Sequence, residues 1–167
     1  MDEVNAITEK ELLPVEMADS VQIIYSDSAM LKVILEAGHL ERFLGENPYL
    51  EMTKGVHVRF FNGLGEVESE LRSNYAISYE NSDIMEAKED VIVVNKEGET
   101  LNTEHLIWEE KTEKIHTEEF VKITTEDEVI FGHGFESNQD FTKYRIKKIK
   151  GTINLKDQED VESTENP

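Results

Sequence analysis

The sequence predicts an all-β domain, a single elongated, twisted β-roll or jelly roll, and three observations carry that prediction. Valine, isoleucine, threonine, phenylalanine and tyrosine fall in short alternating stretches, as in Val56-His57-Val58-Arg59-Phe60, Val91-Ile92-Val93-Val94 and Tyr144-Arg145-Ile146. Polar pairs and glycines break these stretches about every 10 residues, the spacing of a sandwich, barrel or roll. A pattern of apolar and small residues also returns after 30 residues, Leu71 to Leu101. Such a period indicates stacked units that share one core, and so a long roll rather than a compact sandwich.

Taken in order, residues 1–18 are acidic, lack periodicity and contain Pro14. They read as a flexible arm with one short helical turn near Glu9 to Leu13. The β domain is expected over residues 19–155. Its clearest unit is Leu101, Thr103, Leu106 and Ile107, followed by Ile115, Thr117, Val121 and Ile123. Thirty residues earlier stand Leu71, Ser73, Ala76 and Ile77, then Met85, Ala87, Val91 and Val93. Weaker copies flank these two. Upstream come Leu35, Ala37 and Leu40 with Leu50, Met52, Val56 and Val58; downstream come Ile130, Gly132 and Phe135 with Tyr144, Ile146 and Ile149. Degenerate outer copies suit units that cap a stack. Residues 156–167 are acidic and polar and read as a disordered tail.

Each apolar-x-small pair reads as two inward residues of a strand arriving at a corner. The small residue (Ala37, Ser73, Ala87, Thr103, Thr117 or Gly132) lets the backbone bend, and inward parity resumes one residue out of phase, as a bulge requires. A chain that turns corners at regular intervals wraps around an apolar interior. The inward set begins with Val58, Phe60, Leu71, Ile77, Met85, Val91 and Val93. It continues with Leu101, Leu106, Trp108, Ile115, Val121, Ile123 and Phe135, and closes with Tyr144 and Ile146. On the residues alone this is ordinary core packing.

Charge narrows the function. With 37 acidic and 17 basic residues the formal charge is -20, a field that repels nucleic-acid phosphates and anionic bilayers. No cysteine is present, so neither disulfides nor thiolate metal sites arise. No apolar run reaches the ~18 residues of a membrane-spanning helix, and no signal peptide precedes the domain. The histidines, His39, His57, His105, His116 and His133, have no metal-site spacing. Phosphate loops, nucleophile elbows and dinucleotide fingerprints are absent. So many carboxylates make chance pairs unavoidable, and a glycosidase reading gains nothing from them. No catalytic residue, metal or cofactor is expected.

Lys143, Arg145, Lys147, Lys148 and Lys150 form a basic cluster in this acidic chain, with three cations on one face of a strand. They read either as lysine protection of an edge strand or as a contact for phosphates or an acidic partner. Gly132 and Gly134 flank His133 and read as a bulge or tight bend.

Several of these segments resemble the LptC family, periplasmic components of lipopolysaccharide export in the wider superfamily of LptA-like β-jelly rolls. Pro48 to Val56 is similar to the start of that domain in Bacteroidetes-like sequences. Ala87 to Asn95, Gly98 and Leu101-x-Thr103-x-x-Leu106-x-Trp108 continue the likeness. Gly132 to Phe141, Tyr144 to Ile146 and Gly151 complete it, and the Gly134 to Ser137 run favours LptC over its bridge-protein relatives. The resemblance implies a jelly roll open along one side whose inward set doubles as a slot for lipopolysaccharide acyl chains. It implies that the N-terminal edge meets an LptB, LptF and LptG type transporter. The C-terminal edge, with Gly132, Tyr144, Arg145, Ile146, Lys147 and Lys148, would pair with an LptA-like bridge, and the resemblance adds that the backbone at Gly132 and Gly134 passes close to ligand or partner. It places the domain in the periplasm, anchored to the inner membrane by an N-terminal segment outside this chain. A non-enzymatic scaffold, or a bridge protein itself, is the alternative.

Overall fold

A computed structural model describes residues 13–155. The expected arm before Leu13, most of its helical turn, and the acidic tail 156–167 lie outside the described residues. Ten strands follow one another: β1 (Glu16–Asp27), β2 (Met30–Phe43), β3 (Tyr49–Phe61), β4 (Val67–Ser73), β5 (Tyr75–Tyr79), β6 (Ile84–Asn95), β7 (Thr100–Glu109), β8 (Lys114–Thr124), β9 (Glu128–Asn138) and β10 (Tyr144–Asn154). The first strand thus starts inside the stretch read as an arm. Met17 and Ala18 pair with Glu41 and Leu40, and Val15 N–H donates to the Arg42 carbonyl.

All pairings are antiparallel within one sheet, ordered β1-β2-β3-β4-β6-β7-β8-β9-β10, with β5 between β3 and β6. Strands β4 and β5 are two halves of one rung, broken at Asn74, because both pair with β3 and β6. The long rungs bend in mid-strand, where the register slips at Ala37/His39, Lys88/Val91, Thr103/Ile107 and Thr117/Phe120. The sheet therefore divides into two walls. Phe60, Val93, Leu101 and Ile123 lie on the first; Met85, Leu106, Trp108 and Ile115 lie on the second. Together the bends make the predicted β-jelly roll.

The corners are where the repeat placed them, and the structure adds a reason for serine and threonine there. Bending strips ladder partners from the backbone, and the hydroxyls replace them. Ser73 Oγ donates to the Tyr75 carbonyl at 2.9 Å, and Thr103 Oγ1 to the Phe120 carbonyl at 2.8 Å. Thr117 Oγ1 accepts from Glu119 N–H at 3.1 Å. Left-handed φ values at Lys54, Gly55, Glu89 and Asp90 mark the same line.

Phase across the corner decides what points inward. Leu71 and Ser73 hand over to Ala76 and Ser78, and Leu101 and Thr103 to Leu106 and Trp108, all buried. Ile77 corrects the sequence reading. It sits between two inward residues, is half-buried on the outer face and pairs with Glu51 and Glu86. Its neighbour Ala76, fully buried, fills the position assigned to it.

Candidate lipid interior and partner edges

Apart from Ile77, the first fourteen residues of the predicted inward set, Val58 through Phe135, lie in one contiguous core and are at most 2 % exposed. Tyr144 and Ile146 pack partly buried against its C-terminal end. The two walls touch through aromatic rings: Trp108 meets Phe60 edge-on at 5.2 Å and Tyr25 at 5.8 Å between centroids. Beside β9 and β10, Phe141 packs against Phe135 at 5.8 Å and Tyr144 at 4.9 Å. The interior is filled by its own side chains.

The mouth between the free margins of the walls is crossed by the turn after β9. Ser69 Oγ on β4 donates to the Gln139 carbonyl at 2.7 Å, and Asn95 Nδ2 at the end of β6 donates to the Phe141 carbonyl at 2.7 Å. From the second wall, Trp108 Nε1–H donates to Gln139 Oε1 at 3.0 Å. Tyr144 O–H reaches Glu99 at 3.3 Å, and burial followed by the Glu99 charge pushes its pKa up to about 12. Each such bond contributes about 0.5–1.5 kcal/mol net, and a partner left buried without one costs about 1–3 kcal/mol. Two grooves, of about 230 and 330 Å³, run along the mouth and share Lys32, Glu113 and Gln139.

Sequence reasoning missed Ser69, Asn95, Gln139 and Phe141. A signal existed: Asn95 and Phe141 end two of the family-like segments, and the structure brings those ends into contact. A larger depression, of about 600 Å³, lies elsewhere, along the corner line from Ser20 to Asp90. Small residues, Ala37, Gly38, Gly55 and Ser73, line it. It follows from their missing bulk at the bend.

Both end strands have one unpaired edge within the described residues. On β10, Arg145, Lys147 and Lys148 are exposed. Arg145 pairs with Glu136 at 2.6 Å and Lys147 with Glu118 at 2.5 Å, so two of the cluster's charges are already met by neighbouring strands. Exposed apolar side chains accompany the edges, Met17 and Ile24 on β1 and Ile149 and Ile153 on β10. Phe120, 46 % exposed, stacks on Phe131 at 6.1 Å and meets His133 at 5.4 Å on the outer face beside β10. Gly132 is a close approach, but to the chain's own last strand. A Cβ there falls 2.5 Å from Ile146 Cγ2 and 2.7 Å from the Lys148 carbonyl oxygen. The adjacent bulge belongs to β10, at Ile149/Gly151.

Two histidines report on β1–β4 with opposite pH signs. His39 Nδ1 lies 2.7 Å from Asp19 and its Nε2 lies 3.4 Å from Glu41. The Asp19 hydrogen bond first, then that of Glu41, raises its pKa above the ordinary 6.5. Its stabilisation is complete below that ordinary value and is lost as pH rises through the raised one. For His57, burial first and then Arg72 lower the pKa. Its contribution is complete above the ordinary value and is lost as pH falls through the lowered one. Imidazole resonances followed by NMR should titrate above 6.5 for His39 and below it for His57. A shared midpoint would refute the two environments.

A bent antiparallel sheet closed over a continuous apolar interior, with an edge strand at each end, defines the class: an elongated β-jelly roll whose distinguishing feature is its interior. The chain belongs to the LptC family, described as lipopolysaccharide-assembly, LptC-related, which matches residues 8–154. That match runs through the last residue of β10 and covers every strand. The family acts in lipopolysaccharide transport and outer-membrane biogenesis, as a transport component and not a known enzyme family. Its domain is periplasmic, part of an inner-membrane-anchored protein. No curated protein matches the chain.

Proposed function

We propose that this chain accepts lipopolysaccharide from an inner-membrane ABC transporter and passes it to an LptA-like periplasmic bridge. The interior takes the acyl chains, β1 faces the LptB, LptF and LptG type transporter, and β10 adds a strand to the bridge. An N-terminal segment holds the domain at the inner membrane. The observation that carries this reading is the unbroken apolar interior running between two edge strands in a family devoted to lipopolysaccharide transport. Acyl burial contributes about 0.8 kcal/mol per methylene and needs no specific polar partner. The exposed apolar side chains beside β10, and its unpaired Lys148, support that edge as the partner-facing one. Energy enters the cycle through the transporter, so the domain needs no catalytic group.

Because the interior is filled, lipid binding means exchange: acyl chains replace the contacts of Trp108 with Phe60 and Tyr25 as the walls part. One apolar partner replaces another, so the interior itself offers little resistance. The same filled interior favours the second reading, a scaffold that joins its neighbours by edge pairing and never opens. A photo-crosslinking residue at Trp108 should form a lipopolysaccharide adduct, while one at the exposed Glu97 should form none. A folded protein with no adduct at Trp108 or any other interior position would leave the scaffold as the better reading.

A further inference from the structure

We infer that the turn joining β9 to β10 is a releasable strap that controls lipid access to the interior; the inference rests on the lipid-transfer reading. The strap begins at Gln139 and includes Phe141. Its side-chain ties come from both walls and converge on these two residues: Ser69 and Trp108 on Gln139, and Asn95 on Phe141. Gln139 N–H donates to the Glu113 carbonyl in the β7–β8 turn at 2.9 Å and hinges the strap there. Two of the three side-chain ties end on strap carbonyls, so the grip is mainly on the backbone. Phe141 has φ 57 and is fully buried, although it lies in a turn between strands. Asn138 Oδ1 gathers the N–H groups of Thr142 at 3.1 Å and Lys143 at 3.0 Å, so the turn holds its shape independently of the walls.

The mouth grooves locate the same element. One is lined by Trp108, the other by Phe60 and Glu68, and Gln139 borders both. Lifting the strap joins them and uncovers the ring contact between the walls. Acyl chains can replace the apolar contacts of the interior, but they offer nothing to Ser69, Asn95 or the Trp108 N–H. The polar ties are therefore what lipid must displace without compensation, which makes the strap the barrier.

Trp108 is the only tryptophan, so its fluorescence reports on the strap in the full chain. The double variant Ser69→Ala/Gln139→Ala removes two ties while Asn95 keeps its turn. Acrylamide should quench its Trp108 more strongly than in the wild type, with an unchanged far-ultraviolet spectrum. Its uptake of lipopolysaccharide from detergent micelles should be about tenfold faster, a change within the range expected for the two bonds removed. Conversely, Glu68→Cys/Asp140→Cys spans the groove, and a reducible thiol crosslinker there should block uptake until it is cleaved. Uptake at the wild-type rate by the crosslinked protein would overturn the strap, as would unchanged quenching in the double variant. If the wild type itself takes up no lipid, the transfer reading falls instead, and the quenching comparison alone decides whether the strap opens.

Discussion

Replacing Trp108 by alanine should lower stability by about 3–5 kcal/mol, the cost of removing a large aromatic from a packed interior. The indole is 2 % exposed and is the ring on which Phe60 and Tyr25, both from the first wall, converge. Its loss opens a cavity between walls that have no backbone ladder across the mouth, and strands Gln139 Oε1 without its donor. Chemical denaturation followed by far-ultraviolet circular dichroism measures the effect, since the variant has no tryptophan left. Trp108→Phe should recover most of the loss, because it restores the ring contacts and sacrifices only the N–H. An alanine variant within about 1 kcal/mol of wild type would mean that the walls do not depend on this contact.

The second large effect is expected at Gly132. A Cβ there meets Ile146 Cγ2 at 2.5 Å and, more seriously, the Lys148 carbonyl at 2.7 Å. The methyl group can rotate away; the carbonyl is backbone, so β10 itself must move. Overpacking of this kind costs about 1–3 kcal/mol, and Gly132→Arg should exceed Gly132→Ala. The damage should stay local. Amide exchange should lose protection across β10 while β6 and β7, remote from the contact, keep theirs. Bridge capture should fail in the arginine variant through loss of an ordered edge. Uniform loss of protection over all strands would show instead that β10 is integral to the global fold.

Gly132 also shows what a sequence can say about a site. Its small size was legible as a bend, and the family resemblance added a close approach; the identity of what approaches was in neither. Within the sequence a ligand, a partner and the chain's own β10 are equivalent reasons for a glycine. Only the antiparallel register, Gly132 opposite Ile149, names the third. Ile77 teaches the complementary lesson. The repeat sets it opposite Ile107 and sets Ala76 opposite Leu106, yet the larger apolar residue reads as the inward one; the corner at Asn74 sets the phase, and Ala76 and Ser78 take the interior. Hydrophobicity alone does not carry phase across a bend.

The sequence by itself determined the all-β class, the repeating unit, the corners and nearly all of the interior. These follow from side-chain alternation and from small residues at regular spacing, which are local properties of the chain. Tertiary structure alone decided that the mouth is strapped, that Arg145 and Lys147 are partnered, and that Trp108 joins the walls. Those features link residues such as Ser69 and Gln139, 70 positions apart. No local pattern encodes a contact at that separation; it exists only once the bends have brought the two walls face to face.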